Sequence, residues 1–240
     1  MHRLHDLWTR LRAASLRWLV LFASLVVFLR LAWELRSASI VKLDLPVQRW
    51  LQASRTEGLT AAMETVTHFG DGPVIATVAV VGTGLLLFVG HHRRSAAYLA
   101  LAASGAGLLV AGLKAVFARD RPIDRLVPEM GFAFPSGHSL ASAATYGAIA
   151  LLAATRFPKL RLPIVATCVL LVLTVGLSRA YLFVHYPSDV LAGWALGVAW
   201  ALWLKPVAIG PGMRPSEVPV AELAQDDFDP EALAAQDAER

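Results

Sequence analysis

The chain has 240 residues, 56% of them hydrophobic and only 17% charged, with a mean hydropathy of +0.55. Soluble globular domains run at about 45–50% apolar and about 25% charged, so this composition argues against a soluble enzyme or a disordered or fibrous chain and for an integral membrane protein of one domain, at most two. A single cysteine excludes an intramolecular disulfide. The net charge of +4 is a difference between unlike parts: residues 217–240 hold eight carboxylates and one arginine, a net −7, so residues 1–216 carry +11.

The basic arm 1–17 carries Arg3, Arg10, Arg12 and Arg17 and leads into the first of six apolar runs, 18–33, 73–90, 95–113, 139–155, 162–177 and 190–204. Several fall short of the ~20 residues that cross a hydrocarbon core, and snorkelling flanks extend them. The expected fold is all-α, a polytopic bundle of six transmembrane helices over residues 18–205, followed by an acidic, mostly disordered tail over 206–240. Gly105, Gly107 and Gly112, and the Gly193/Gly197 pair at GxxxG spacing, are expected to let helices approach closely. Arg30 and Glu34, four apart on the first helix, are expected to pair. A second reading of the first run is a cleaved signal peptide with small residues at Ser37-Ala38-Ser39.

Short-loop cations set orientation. The N-terminus, His91-His92-Arg93-Arg94, and Arg156, Lys159 and Arg161 share one side of a six-span chain, which makes that side and both termini cytoplasmic, as in a bacterial cytoplasmic membrane. The segments 37–72, 114–138 and 178–189 then lie outside. The first of these has two readings: an interfacial helix that guides lipid entry, or a connecting loop with one short helix, which we prefer.

The other two outer segments hold most of the chemistry. Lys114, Arg121 and Arg179 suit the oxygens of a phosphoryl group, although each alone reads equally as a snorkelling residue at a span end. Pro135-Ser136-Gly137-His138 reads as a helix start, with Ser136 as cap and a dipole that favours an anion, or as a plain turn. His185, with Asp189 four residues on, suits a phosphorus nucleophile whose tautomer a carboxylate fixes; a helix cap is the plainer alternative. His138 suits the acid that protonates a leaving oxygen and the base that then activates water. No H-E-x-x-H, clustered carboxylates or phosphate-loop glycines are present, so neither a metal nor a cofactor is expected. Asp120, Asp124 and Glu129 read as scattered and solvated.

Taken together, Lys114-x6-Arg121-Pro122, Pro135-Ser136-Gly137-His138 and Ser178-Arg179-x5-His185-x3-Asp189 resemble the three-part signature of the type 2 phosphatidic acid phosphatase superfamily, with every motif position filled. The resemblance implies a metal-independent phosphohydrolase with His185 as nucleophile, Asp189 as its orienting partner and His138 as acid/base. It further implies Lys114, Arg121, Ser136, Gly137 and Arg179 as phosphate binders. Six apolar spans set the chain apart from the soluble relatives, acid phosphatases and vanadium haloperoxidases. Its expected partners are a lipid phosphate and membrane lipids, with no nucleic acid; undecaprenyl diphosphate, phosphatidylglycerophosphate and phosphatidate are the substrates considered. A lipid phosphotransferase using the same phosphohistidine, and a non-catalytic anion-binding membrane protein, are the alternatives.

Overall fold

Each of the six apolar runs lies in a helix of the computed structural model, which describes residues 2–37, 39–90, 92–156 and 159–209, with side chains from 15 to 208. α1 covers His2–Arg36, α2 Val41–Ala53 and α3 Glu57–Thr67, followed by a 3-10 turn His68–Gly70. α4 covers Gly72–Gly84 and continues through a π-helical turn Leu85–Val89; α5 covers Arg93–Phe117, α6 Gly137–Arg156, α7 Arg161–Tyr181 and α8 Pro187–Ile209. No strand occurs among the described residues. The basic arm is thus a helical extension of the first span, whereas the acidic tail from 210 onward lies outside the described residues.

Among the described residues, five segments are long and apolar enough to cross a membrane: Ser15–Arg36, Gly72–Val89, Arg93–Phe117, Arg161–Tyr181 and Pro187–Ala208. Phe22, Val80, Phe88, Leu108, Leu170 and Trp203, spread over these helices, are each more than half exposed. Apolar surface on that scale suits hydrocarbon and not water. α6 differs: its 20 residues span about 30 Å at 1.5 Å per residue, but they are rich in Ala, Ser, Gly and Thr, and half of them are buried. It packs against α5, α7 and α8 at once, and small side chains are what allow three helix neighbours.

The α6–α8 contact depends on the glycine pair. A Cβ on Gly193 would lie 2.7 Å from the Ser136 carbonyl oxygen, and one on Gly197 would lie 2.5 Å from the Leu140 carbonyl oxygen. Gly105 similarly accepts the Trp200 ring, whereas a Cβ at Gly107 or Gly112 meets nothing within 4 Å, so only three of the five glycines singled out by sequence act in packing. Backbone atoms cannot swing aside as side chains do. Gly197→Ala is therefore expected to destabilise the purified protein by about 1–3 kcal/mol, and Gly112→Ala to leave it unchanged or slightly more stable; thermal unfolding in detergent distinguishes the two.

Arg30 and Glu34 pair as expected, Nη2 to Oε1 at 2.6 Å. The segment 37–72 departs from the loop reading, since it forms two helices and not one. α3 starts at a cap in which Thr56 Oγ1 accepts from the Leu59 N–H, and it packs on α7, with Thr60 Oγ1 and Tyr181 Oη 3.1 Å apart. α2 buries Asp44 and Leu51 while exposing Val41, Leu43 and Trp50. Interspersed charges at Lys42, Asp44, Arg49, Glu57 and Glu64 keep either helix from reading as an apolar run.

Candidate active site

Helix termini build the site. α5 carries Lys114 in its last turn and stops at Phe117, because Ala118 takes a left-handed conformation, φ 43°, and returns its N–H to the Lys114 carbonyl. The chain then turns back as a long loop carrying Arg119, Arg121 and Glu129. Gly131, at φ 73°, sits where a left-handed turn presents its own carbonyl and that of Met130 to Arg121, which donates to them from Nε at 2.8 Å and Nη2 at 3.0 Å. α6 opens beside this loop. Ser136 caps it by accepting from the Ser139 N–H at 3.4 Å, and the Ser136 N–H donates to the Asp189 carbonyl at 3.0 Å. That bond ties the α6 start to the α8 start. Gly137 begins the helix, and its first-turn N–H groups have no intrahelical acceptor.

His185 lies in the α7–α8 connection, 1% exposed. Arg121 Nη1 donates to the Val184 carbonyl at 2.7 Å and lies 3.1 Å from His185 Nε2. A guanidinium only donates, so Nε2 is the unprotonated nitrogen and Nδ1 carries the hydrogen. Nδ1 faces Asp189 Oδ2 at 3.5 Å, close but longer than a hydrogen bond. Burial first, and then the cations Arg121, Arg179 and Lys114, push His185 well below the usual histidine range, so its ring is neutral at pH 7.

Asp189, fully buried, is held on both oxygens. Oδ2 accepts from the Tyr186 N–H at 2.9 Å, the return arm of a capping box at the start of α8, with Pro187 at its first position. Oδ1 accepts from Arg119 Nη1 at 2.5 Å. Arg119 also bonds Ser188 Oγ and, through Nη2 at 2.7 Å, Asp44 Oδ2, and it lies 3.9 Å above the Tyr186 ring. Asp44 in turn accepts from the Ser188 N–H at 2.8 Å.

Arg179 projects from the last turn of α7 and is 2% exposed; Nη1 donates to Thr67 Oγ1 at 2.8 Å and Nη2 pairs with Glu129. Glu129 Oε1 also lies 3.7 Å from Arg121 Nη2. Burial would raise the Glu129 carboxyl, but Arg179 and Arg121 outweigh it and hold it below the usual carboxylate range. Lys114 is within electrostatic range of Arg121, Glu129, Arg179 and Asp189. His138 Nε2 meets Asp71 Oδ1 at 2.8 Å.

The eight residues singled out by sequence, Lys114, Arg121, Ser136, Gly137, His138, Arg179, His185 and Asp189, therefore converge on one end of the bundle. Glu129 needs correcting: it is not a solvated loop residue but the carboxylate that bridges two of the cations. Arg119, Asp44, Thr67 and Asp71 join the site without being singled out by sequence, and of the four only Arg119 lies close in sequence to a residue that is, two positions before Arg121. What the end of the bundle offers chemically is a neutral imidazole nitrogen beside fixed cations and a helix N-terminus, with a second imidazole at its edge.

That combination suits the oxygens of a phosphoryl group. The PAP2 superfamily profile matches residues 95–208. Phosphatidylglycerophosphatase B of Bacillus subtilis is 32% identical over 178 residues, covering 71% of this chain and 86% of that protein. Lipid A 1-phosphatase of Rhizobium etli is 38% identical over 187 residues, covering 66% of this chain and 74% of the relative. Among solved structures, the transmembrane PAP2-type phosphatidylglycerolphosphate phosphatase of Bacillus subtilis superimposes with a TM-score of 0.69 at 28% identity, covering 77% of this chain and 94% of that one. Aquifex aeolicus LpxE shares the fold, with a TM-score of 0.55 over 68% of this chain and 94% of that one. The chain belongs to the PAP2 superfamily, and it is a phosphatase of the membrane branch.

Proposed function

We propose that the protein hydrolyses a lipid phosphate without a metal, through a phosphohistidine on His185, and that phosphatidylglycerophosphate is its first-choice substrate. The observation that carries the lipid reading is an apolar groove of about 640 Å³ between α4 and α5, lined among others by Gly72, Ile75, Ala79, Ala103, Gly107 and Ala141. Gly72 follows Asp71 directly and Ala141 is one helical turn from His138, so an acyl chain in the groove ends with its phosphate at the histidines. The preference for phosphatidylglycerophosphate rests on the phosphatase of that name, of which the match covers 86%. Undecaprenyl diphosphate, phosphatidate and the lipid A phosphates of the other relatives complete the substrate panel.

In the first step His185 Nε2 attacks phosphorus, the bond from phosphorus to the lipid oxygen breaks, and His138 gives that oxygen its proton. Lys114, Arg179 and the first turn of α6 offset the charge on the phosphoryl oxygens, while Arg121 steadies His185. Glu129 pairs with Arg179 and lies near Arg121, and it exchanges these cations with the incoming phosphate. In the second step His138 takes a proton from water as its oxygen bonds phosphorus and the phosphorus–nitrogen bond breaks. Among the described residues no three His, Cys, Asp or Glu side chains converge as metal ligands. The loop cations support a site outside the cytoplasm, with α6 as the sixth crossing and both termini inside.

Purified protein is expected to release phosphate from the lipid panel in the presence of EDTA; turnover abolished by the chelator contradicts the mechanism. Ala103→Trp fills the groove and is expected to lower kcat/KM for long-chain lipid phosphates about tenfold or more, while leaving a soluble aryl phosphate within about twofold, since the loss is confined to tail binding. An equal loss on both substrates contradicts the groove as the tail site.

A further inference from the structure

Asp71 is the N-cap residue of α4, and its side chain makes no capping hydrogen bond. The carboxylate is turned the other way, with Oδ1 at 2.8 Å from His138 Nε2 and Oδ2 at 2.7 Å from His68 Nδ1. Aspartate at this position ordinarily accepts from the first turn of its own helix, so the local preference is set aside for a contact with a residue 67 positions away. The turn that delivers it is fixed. A Cβ on Gly70 would lie 2.9 Å from His138 Cδ2 and 2.5 Å from Val175 Cγ1, so only glycine lets the backbone press this close to the ring. Tyr146 Oη, from the same helix as His138, donates to the Phe69 carbonyl at 2.7 Å.

We infer that Asp71 is the positioning residue of the acid–base histidine: it holds His138 with Nε2 protonated, leaves Nδ1 to exchange the proton with the reacting oxygen, and stabilises the imidazolium that donates it. This rests on the phosphatase reading above. A carboxylate accepts and does not donate, so the hydrogen of the Asp71–His138 bond belongs to Nε2 and the working nitrogen is Nδ1. When the bond from phosphorus to the lipid oxygen breaks, the proton on Nδ1 goes to that oxygen and the ring becomes neutral. When water attacks the phosphohistidine, its proton returns to Nδ1. Asp71 stays ionised throughout, so the relation is that of the carboxylate in a hydrolase triad, applied to the second histidine.

The charged and titratable groups around His138 are Asp71 from the α3–α4 turn, with His68 behind it, Glu129 from the α5–α6 loop, Arg179 from α7 and His185 from the α7–α8 connection. Arg179 opposes an imidazolium and Glu129 favours it. Because Glu129 is shared with Arg121 and Arg179, Asp71 is the carboxylate in direct hydrogen-bond contact with the ring.

The test is Asp71→Asn, His138→Ala and the double variant, assayed in detergent with wild-type protein. Asparagine is as good an N-cap as aspartate and matches its size, so the fold and α4 are retained, which the melting temperature checks. Asp71→Asn is expected to lower kcat about 10- to 100-fold, part of the 10²–10⁴ that an acid–base group contributes, with KM within about twofold. The alkaline limb of its kcat profile is expected to move to lower pH as the imidazolium loses its counter-charge. In the His138→Ala background the same substitution is expected to change kcat less than twofold, since a residue acting through another has nothing left to act on. Wild-type kcat in Asp71→Asn, or an equal loss with and without His138, overturns the proposal. Full activity in His138→Ala would instead overturn the acid–base assignment beneath it, so the two failures read differently.

Discussion

Replacing His185 by alanine is expected to reduce phosphate release on the order of 10⁴-fold or more, because it removes the atom that bonds to phosphorus and leaves only binding and electrostatics. His185→Gln keeps a polar side chain of similar reach and is expected to be equally inactive, since an amide nitrogen is no nucleophile. The pH dependence follows from the same ring. Neutral His185 is the reactive form, and burial with Arg121, Arg179 and Lys114 around it pushes its protonation well below the usual histidine range. The acid limb that His185 contributes to kcat/KM is therefore expected below pH 6.5, the ordinary value. A profile whose acid limb rises through pH 6.5 or above would contradict the environment described for this residue. Because kcat/KM reports the free enzyme, the charge of a bound phosphate does not enter this limb.

The second large effect is expected at Arg119. Its guanidinium stands between Asp44, 2% exposed, and Asp189, 0% exposed, with one nitrogen on each carboxylate. Arg119→Met keeps the apolar stem over Tyr186 but leaves two buried carboxylates without their cation. Breaking a buried ion pair by removing one partner costs about 3–5 kcal/mol, so the variant is expected to show a large fall in thermal stability in detergent. Its activity is expected to fall as well, because Asp189 then loses the bond that aims it at His185. Asp44→Asn, which removes one carboxylate of the pair and keeps the Arg119–Asp189 contact, is expected to be the milder change. Equal stability of Arg119→Met and wild type would mean that the network does not hold the α8 start.

The parts of this site that sequence displays are those encoded locally. Apolar runs mark the helices, Ser136 and Pro187 mark two helix starts, and the motif spacing places Lys114, Arg121, His138, Arg179, His185 and Asp189 at one end of the bundle. The parts it hides are long-range pairings of single residues in polar loops. Asp71 is 67 positions from His138, Glu129 is 50 from Arg179, Arg119 is 70 from Asp189, and Asp44 is 144 from Ser188. A lone carboxylate between spans has no periodicity to read, and solvation is its commonest fate, which is why Glu129 reads as solvated. The glycines divide the same way: Gly193 and Gly197 are distinguished from Gly107 and Gly112 only by which face of the helix meets a neighbour. The plainer reading of Asp189, a helix cap, is met by one oxygen, which accepts from the Tyr186 N–H and also faces His185, while Arg119 anchors the other.

The proposed mechanism turns on a covalent bond between phosphorus and His185, and trapping that bond tests it. Purified protein is mixed with lipid substrate carrying a radiolabelled phosphate, quenched by denaturation at alkaline pH, where phosphohistidine persists, and examined for label on the peptide that contains His185. Label is expected in wild-type protein, more of it in a variant at His138 that slows the second step, and none in His185→Ala. Turnover by wild-type protein with no label on that peptide, or label that survives His185→Ala, would contradict the mechanism.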